Sequence, residues 1–254
     1  MLSTVVIIPT YNERENVGPI VARVRASVPD AEVLIVDDAS PDGTGRLADE
    51  IAAADSQVHV LHRTKKNGLG AAYLDAFTWG RARGFVRLVQ LDADGSHLPE
   101  QLPALLAAAD TADVVMGSRW IPGGRVENWP WHRQLLSRGG SLYSRLLLKL
   151  PQHDVTGGYR VYSSDALERM QLGSVDSLGY CFQIDMLLHA VRAKLRVVEV
   201  PITFVERTLG SSKMSGGIVL EAMGRVTIWG LTGHGARHSN PVISAPAVDK
   251  ADKP

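Results

Sequence analysis

The triplet Asp92-Ala93-Asp94 ends the expected strand Val86–Leu91. Two carboxylates at i and i+2 of an extended chain point the same way. In a cleft they repel and raise each other's pKa, and a divalent cation resolves that conflict. Mg²⁺ or Mn²⁺ suits such a pair, since both prefer oxygen and complete their shells with phosphate oxygens. A pair of solvated turn acids is the alternative. Two more expected strands end in polar residues: Pro9-Thr10-Tyr11-Asn12-Glu13, and Asp37-Asp38-Ala39-Ser40-Pro41-Asp42-Gly43-Thr44. A base can stack on Tyr11, and a carboxylate can bind a ribose or base edge. Ser40 to Thr44 also reads as a turn with a helix N-cap. Gly68-Leu69-Gly70-Ala71-Ala72-Tyr73 starts like a dinucleotide fingerprint, but Tyr73 fills its third glycine position and it follows the third strand, which argues against a nicotinamide site.

These residues need a scaffold that brings strand ends together. Short β-branched runs recur at Thr4–Ile8, Glu32–Asp37, Val58–Leu61, Phe85–Leu91 and Asp113–Met116. Helical patterns separate them at Glu15–Val28, Thr44–Ala54, Gly70–Arg83 and Pro99–Asp110. This alternation predicts an α/β fold with a mostly parallel central sheet and helices on both faces. Right-handed crossovers then line the strand C-termini along one edge, where such sheets bind ligands. Further on, the pattern predicts a helix over His132–Lys149, a strand over Tyr159–Tyr162, a helix over Tyr180–Lys194, one or two strands in Leu195–Val205 broken by Pro201, and a helix over Gly216–Trp229.

Basic and acidic residues number 27 each, so no bulk charge points to nucleic acid. Cys181 is the single cysteine, which rules out an internal disulfide, and its apolar surroundings predict a buried structural thiol. The N-terminal run is too short for a signal peptide, and the longest apolar segment, 216–231, is interrupted by Glu221 and Arg225. The expected arrangement is one catalytic domain over 1–232, including an amphipathic membrane- or acceptor-facing helix at 215–231, and a disordered tail over 233–254.

The segments 6–16, 36–44, 67–73 and 92–99 together resemble inverting family-2 glycosyltransferases of the GT-A fold, a Rossmann-like nucleotide-diphospho-sugar transferase fold. Gly117–Trp120, Asp154–Arg160 and Phe204–Lys213 narrow the resemblance to dolichol- or polyprenol-phosphate mannose synthases. The likeness covers residues 3 to 230. It implies transfer of mannose from GDP-mannose to polyprenol phosphate. It also implies donor-nucleotide contacts at Pro9, Tyr11 and Glu13, a base and ribose site at Val36 and Asp38, and a diphosphate–metal site at Asp92, Ala93 and Asp94. Ser96 stands where some relatives place a metal-binding glutamine, and its shorter side chain implies a water between. Arg119, Arg207 and Lys213 match the family's phosphate-binding cations, and Arg133 joins them. Asp94, Arg119, Arg207 and Lys213 are the residues expected to act on the reacting groups.

The lipid phosphate is already ionised at neutral pH, so the reaction needs cations to bring two anions together more than it needs a strong base. Gly210, Ser211, Ser212, Ser215, Gly216 and Gly217 give the loop after Arg207 a composition that permits it to fold over a bound diphosphate. The helices at 132–149 and 216–229 have apolar faces accompanied by Arg138, Arg145, Lys149 and Arg225, suited either to a membrane interface or to ordinary core packing. The expected location is peripheral, on the cytoplasmic face of a membrane, with an unidentified membrane-protein partner left open. A UDP-glucose-dependent or other sugar-nucleotide-dependent relative is the nearer alternative. A non-catalytic nucleotide-sugar-binding or membrane-docking subunit is the alternative from another class.

Overall fold

The computed structural model describes residues 3–175, 177, 179, 181–207 and 216–233. Its first half alternates strands β1 (Thr4–Thr10), β2 (Glu32–Asp37), β3 (Val58–His62), β4 (Arg87–Gln90) and β5 (Val114–Ser118) with helices α1 (Arg14–Ser27), α2 (Thr44–Ala54), α3 (Leu69–Ala82) and α4 (Leu102–Ala108). The helix expected over 99–110 is shorter than its pattern, because Pro99 opens a separate 3₁₀ turn and Pro103 removes an N–H from the first turn of α4. There follow β6 (Arg125–Glu127), α5 (Trp131–Leu148), β7 (Arg160–Ser163), α6 (Ser164–Arg169), α7 (Phe182–Arg192), β8 (Val197–Pro201), β9 (Thr203–Val205) and α8 (Gly216–Thr232).

The main sheet runs in the order β3-β2-β1-β4-β7-β5-β8. Every neighbouring pair is parallel except those of β7, which is antiparallel to both β4 and β5. The sheet is therefore mostly parallel, as the alternation predicts. Side chains alternate between its faces. Val5 and Ile7 join a core with Leu34, Tyr73, Phe77, Leu88 and Phe182, while Val6 and Ile8 join one with Val17, Ile20, Val33 and Leu102. Coverage on both faces explains why the strands read as continuous apolar runs.

A second, small sheet pairs β6 with β9 in parallel. An antiparallel bridge from His97 to Phe204 fastens β9 to the segment that follows Asp94. Helices α5 and α8 pack together on the outside. The Tyr143 and Thr227 hydroxyls lie 2.6 Å apart, and a Cβ on Gly230 would meet the Leu147 carbonyl oxygen at 3.1 Å, so the missing side chain permits the close approach. No helix among the described residues is long and apolar enough to cross a membrane.

Candidate active site

Parallel strands β1, β2, β3, β4 and β5 deliver their C-terminal residues to one edge. At the β1–β2 end, Pro9 lies opposite Val36 in register. The Val36 side chain is wholly buried in the core, and Ala93 is nearly so, which leaves only their backbones to meet a ligand. Asp38 is 5% exposed and accepts from the Arg63 guanidinium, which also donates to Asp75 at 2.8 Å. The neighbouring Asp37 accepts from the Ser40 N–H at 3.2 Å. The Tyr11 ring is covered by the Lys66 ammonium, 3.6 Å from its centroid. The Glu13 N–H donates to Thr44 Oγ1 at 3.0 Å, and its carboxylate accepts from Asn16 at 2.7 Å. Arg63 and Lys66 are absent from the sequence reading. Their signal was nonetheless present: basic residues directly after β3 stand at the same edge as the acids after β2 and β4.

At the end of β4, Asp94 Oδ1 accepts from the Ser96 hydroxyl at 2.5 Å and the Ser96 N–H at 3.1 Å. Ser96 is 2% exposed, so its hydroxyl is engaged in holding the Asp94 carboxylate. Arg207 Nη2 lies 3.3 Å from Asp94 Oδ2. Asp92 Oδ1 accepts from the Tyr73 hydroxyl at 3.4 Å, and Asp92 Oδ2 is 3.5 Å from His97 Nδ1. Burial pushes the Asp92 pKa up; the His97 ring opposes this and the Asp94 charge adds to it. Burial likewise lowers the His97 pKa, against the pull of Asp92 and Asp94.

Among the described residues no group of three or more His, Cys, Asp or Glu is arranged to enclose a metal. Asp92 and Asp94 still suit Mg²⁺ or Mn²⁺, which are commonly held by one or two carboxylates with water and substrate phosphates filling the rest. Burial first, and the Asp94 charge after it, make ionised Asp92 unfavourable, and a divalent cation between the two carboxylates would relieve both.

Arg119 and Arg133, like Arg207, each meet an acid. Arg119, 7% exposed, donates from Nε and Nη2 to the two oxygens of Asp154, both at 2.7 Å. Its own N–H adds a third bond to Asp154 at 2.9 Å, and Nη2 also reaches the Thr156 hydroxyl at 3.0 Å. The guanidinium lies within 5.6 Å of the Trp120, Trp129 and Phe204 ring centroids. Arg133 pairs with Glu206 and stacks over Trp129 at 4.8 Å. Lys213 and the segment 208–215 lie outside the described residues. The structure thus gathers Asp92, Asp94, Ser96 and Arg207 directly, and surrounds Arg119 and Arg133 with carboxylate and aromatic partners.

A family model described as "Glycosyl transferase family 2" matches residues 5–171. The chain belongs to glycosyl transferase family 2. This glycosyltransferase is 58% identical over 232 residues to the polyprenol monophosphomannose synthase of Mycolicibacterium smegmatis, covering 91% of this chain and 88% of the relative. It is also 58% identical over 225 residues to the undecaprenyl-phosphate mannosyltransferase of Micrococcus luteus, covering 89% and 93%. A solved mannosyltransferase from Pyrobaculum calidifontis, in complex with GDP-Man and Mn²⁺, superposes with a TM-score of 0.58 at 17% identity. That match covers 94% of this chain and 65% of the solved one, and it shows a shared fold.

Proposed function

We propose that this glycosyltransferase moves mannose from GDP-mannose to polyprenol phosphate with inversion. The names of the two relatives at 58% identity support the product class. The observation that carries the chemistry is the Asp92–Asp94 pair at the sheet edge with Arg207 beside it. The guanosine lies at the β1–β2 end, against Tyr11 and the Asp38–Arg63 pair, with Pro9, Glu13 and the Val36 backbone completing its surroundings. Lys66 leaves the Tyr11 ring when the base stacks there.

Asp92 and Asp94 would hold Mg²⁺ or Mn²⁺, with the Ala93 backbone beside them and Ser96 fixing the Asp94 carboxylate. Such a cation, when bound, supplies positive charge to the leaving diphosphate. Arg207, which pairs with Asp94 in the free enzyme, would turn toward the diphosphate, where Lys213 would join it. Loss of the nucleotide diphosphate then proceeds against a preorganised positive field. The lipid phosphate attacks as an anion from the opposite side of the anomeric carbon, so no strong base is needed. Arg133 exchanges Glu206 for that phosphate. Arg119, fixed by Asp154, acts at its side as a charge held in place and as a support for the Trp129 and Phe204 rings.

The catalytic domain spans 1–232, and its α5–α8 face meets the membrane. Trp131, Leu135 and Leu146 on α5, with Leu220, Ile228 and Leu231 on α8, are all more than half exposed. Large apolar side chains gathered on one surface mark an interaction face. Exposed Arg138, Lys149 and Arg225 accompany them, which suits an anionic lipid surface. We place the enzyme peripherally on the cytoplasmic face.

The test is incubation with labelled GDP-mannose, Mg²⁺ and a short polyprenol phosphate, run beside UDP-glucose. Labelled lipid from GDP-mannose alone supports the proposal. Lipid product from UDP-glucose instead, or from neither donor, overturns it.

A further inference from the structure

Strand β7 enters the sheet between β4 and β5, and its first residue, Arg160, lies level with Gln90 and Met116. Arg160 is 1% exposed. Its guanidinium donates to the carbonyl oxygens of Gln183 at 2.7 Å, Gly157 at 2.9 Å and Val155 at 3.0 Å, and to the Tyr162 hydroxyl at 3.3 Å. One buried cation therefore ties the turn before β7 to the first turn of α7.

That tie brings Gly158 and Gln183 to the acidic pair. A Cβ on Gly158 would lie 3.5 Å from Gln183 Nε2, 3.6 Å from Asp92 Oδ2 and 3.7 Å from His97 Cε1. The missing side chain thus leaves a methyl-sized space walled by polar groups from two other segments, Asp92 and His97 after β4 and Gln183 on α7. Gln183 is 6% exposed, and neither its Nε2 nor its Oε1 has a hydrogen-bond partner. His97 Nδ1, in a residue 2% exposed, also makes no hydrogen bond, its nearest acid oxygen being Asp92 Oδ2 at 3.5 Å. Leaving a buried carboxamide unpaired is costly, and a hydrophobic side chain would avoid the cost. A group that is paired only when ligand arrives accounts for it.

The chemistry of the walls selects the ligand. Asp92 Oδ2 and Gln183 Oε1 accept, and Gln183 Nε2 donates. A hydroxyl both donates and accepts, so it satisfies these groups. A phosphate oxygen only accepts, so it would leave Gln183 Oε1 unmatched. We propose that Gln183 is a specificity residue for the donor hexose, its carboxamide bonding a sugar hydroxyl in the space that Gly158 leaves beside Asp92. This rests on the proposed function, which places the diphosphate of a nucleotide sugar, and so the hexose bonded to it, at the Asp92–Asp94 pair.

The experiment measures kcat/KM for GDP-mannose and GDP-glucose, and equilibrium binding of GDP, for wild type, Gln183→Ala and Gly158→Ala. Loss of the contact should lower kcat/KM for GDP-mannose by about tenfold. It should narrow the preference between the two hexoses, while GDP affinity stays within about twofold. Gly158→Ala should show the same pattern by filling the space. A Gln183→Ala enzyme with wild-type kcat/KM and hexose preference overturns the inference. So does one that loses GDP affinity in the same proportion, since that reports general disruption. If wild type uses another sugar nucleotide, the same variants are compared with that donor and its epimer. If wild type neither binds nor uses any sugar nucleotide, the proposed function fails first and this inference falls with it.

Discussion

Arg207 sets its Nη2 3.3 Å from Asp94 Oδ2, although the two residues come from distant parts of the chain. The small β6–β9 sheet makes this possible. Phe204 bridges to His97, and the Val205 N–H donates to the Ser96 carbonyl at 3.1 Å, so the chain arrives at Arg207 already aligned beside the acids. The pairing balances the Asp94 charge, and in the proposed mechanism it keeps a cation ready for the diphosphate.

Asp94→Ala removes one electrostatic stabiliser from the reacting centre. Turnover should fall by about 10²–10³. Steady-state rates on GDP-mannose, with folding checked by circular dichroism, measure this; a near-normal rate removes Asp94 from the mechanism.

Asp154→Asn strands the buried Arg119 guanidinium without its counter-charge. Breaking such a pair from one side costs about 3–5 kcal/mol. Thermal unfolding should shift down by about 10 °C. The double variant Arg119→Leu/Asp154→Leu should recover much of that loss, because no charge is left stranded. An unchanged Tm in the single variant contradicts the burial argument.

The same pair sets an acid limit on stability. Burial alone would raise the Asp154 pKa, but the charge and hydrogen bonds of Arg119 outweigh it and hold the carboxyl below its usual range. A depressed folded pKa gives stability that is complete above the unfolded value of about 3.9 and lost as pH falls through the lower folded value. Denaturant titrations should show wild-type stability declining below about pH 4. Asp154→Asn should lose part of that slope; an identical slope in both proteins counts against the linkage.

Leu146→Asp places a charge on the outer face of α5, away from the acidic pair. Flotation with anionic liposomes should show reduced membrane binding, while GDP-mannose binding in solution is unchanged. Equal flotation of both proteins would remove α5 from the membrane face.

Much of the scaffold was legible because burial on both sheet faces leaves plain runs. Helix α2 begins and ends where its pattern does, at Thr44 and Ala54, and β2 spans Glu32–Asp37 as expected. The Asp92–Asp94 pair was legible because it ends a stretch patterned as a strand. What sequence reading missed depends on contacts between distant segments. Strand β6 has only three residues and gains its identity from β9. The short helix α6 follows β7 directly, capped by the Ser163 hydroxyl, which accepts from the Ala166 N–H at 3.0 Å. Arg119 and Arg133 read as phosphate-binding cations from the resemblance, while their pairing with Asp154 and Glu206 was not legible, because those acids reach them only after the chain folds. Cys181 is buried as its apolar neighbours predicted.

Transfer of label from GDP-mannose to polyprenol phosphate in excess chelator, with and without restored Mg²⁺ or Mn²⁺, tests the central claim most directly. The account predicts that product formation stops in chelator and returns with either metal. Equal rates with and without a divalent cation would contradict it.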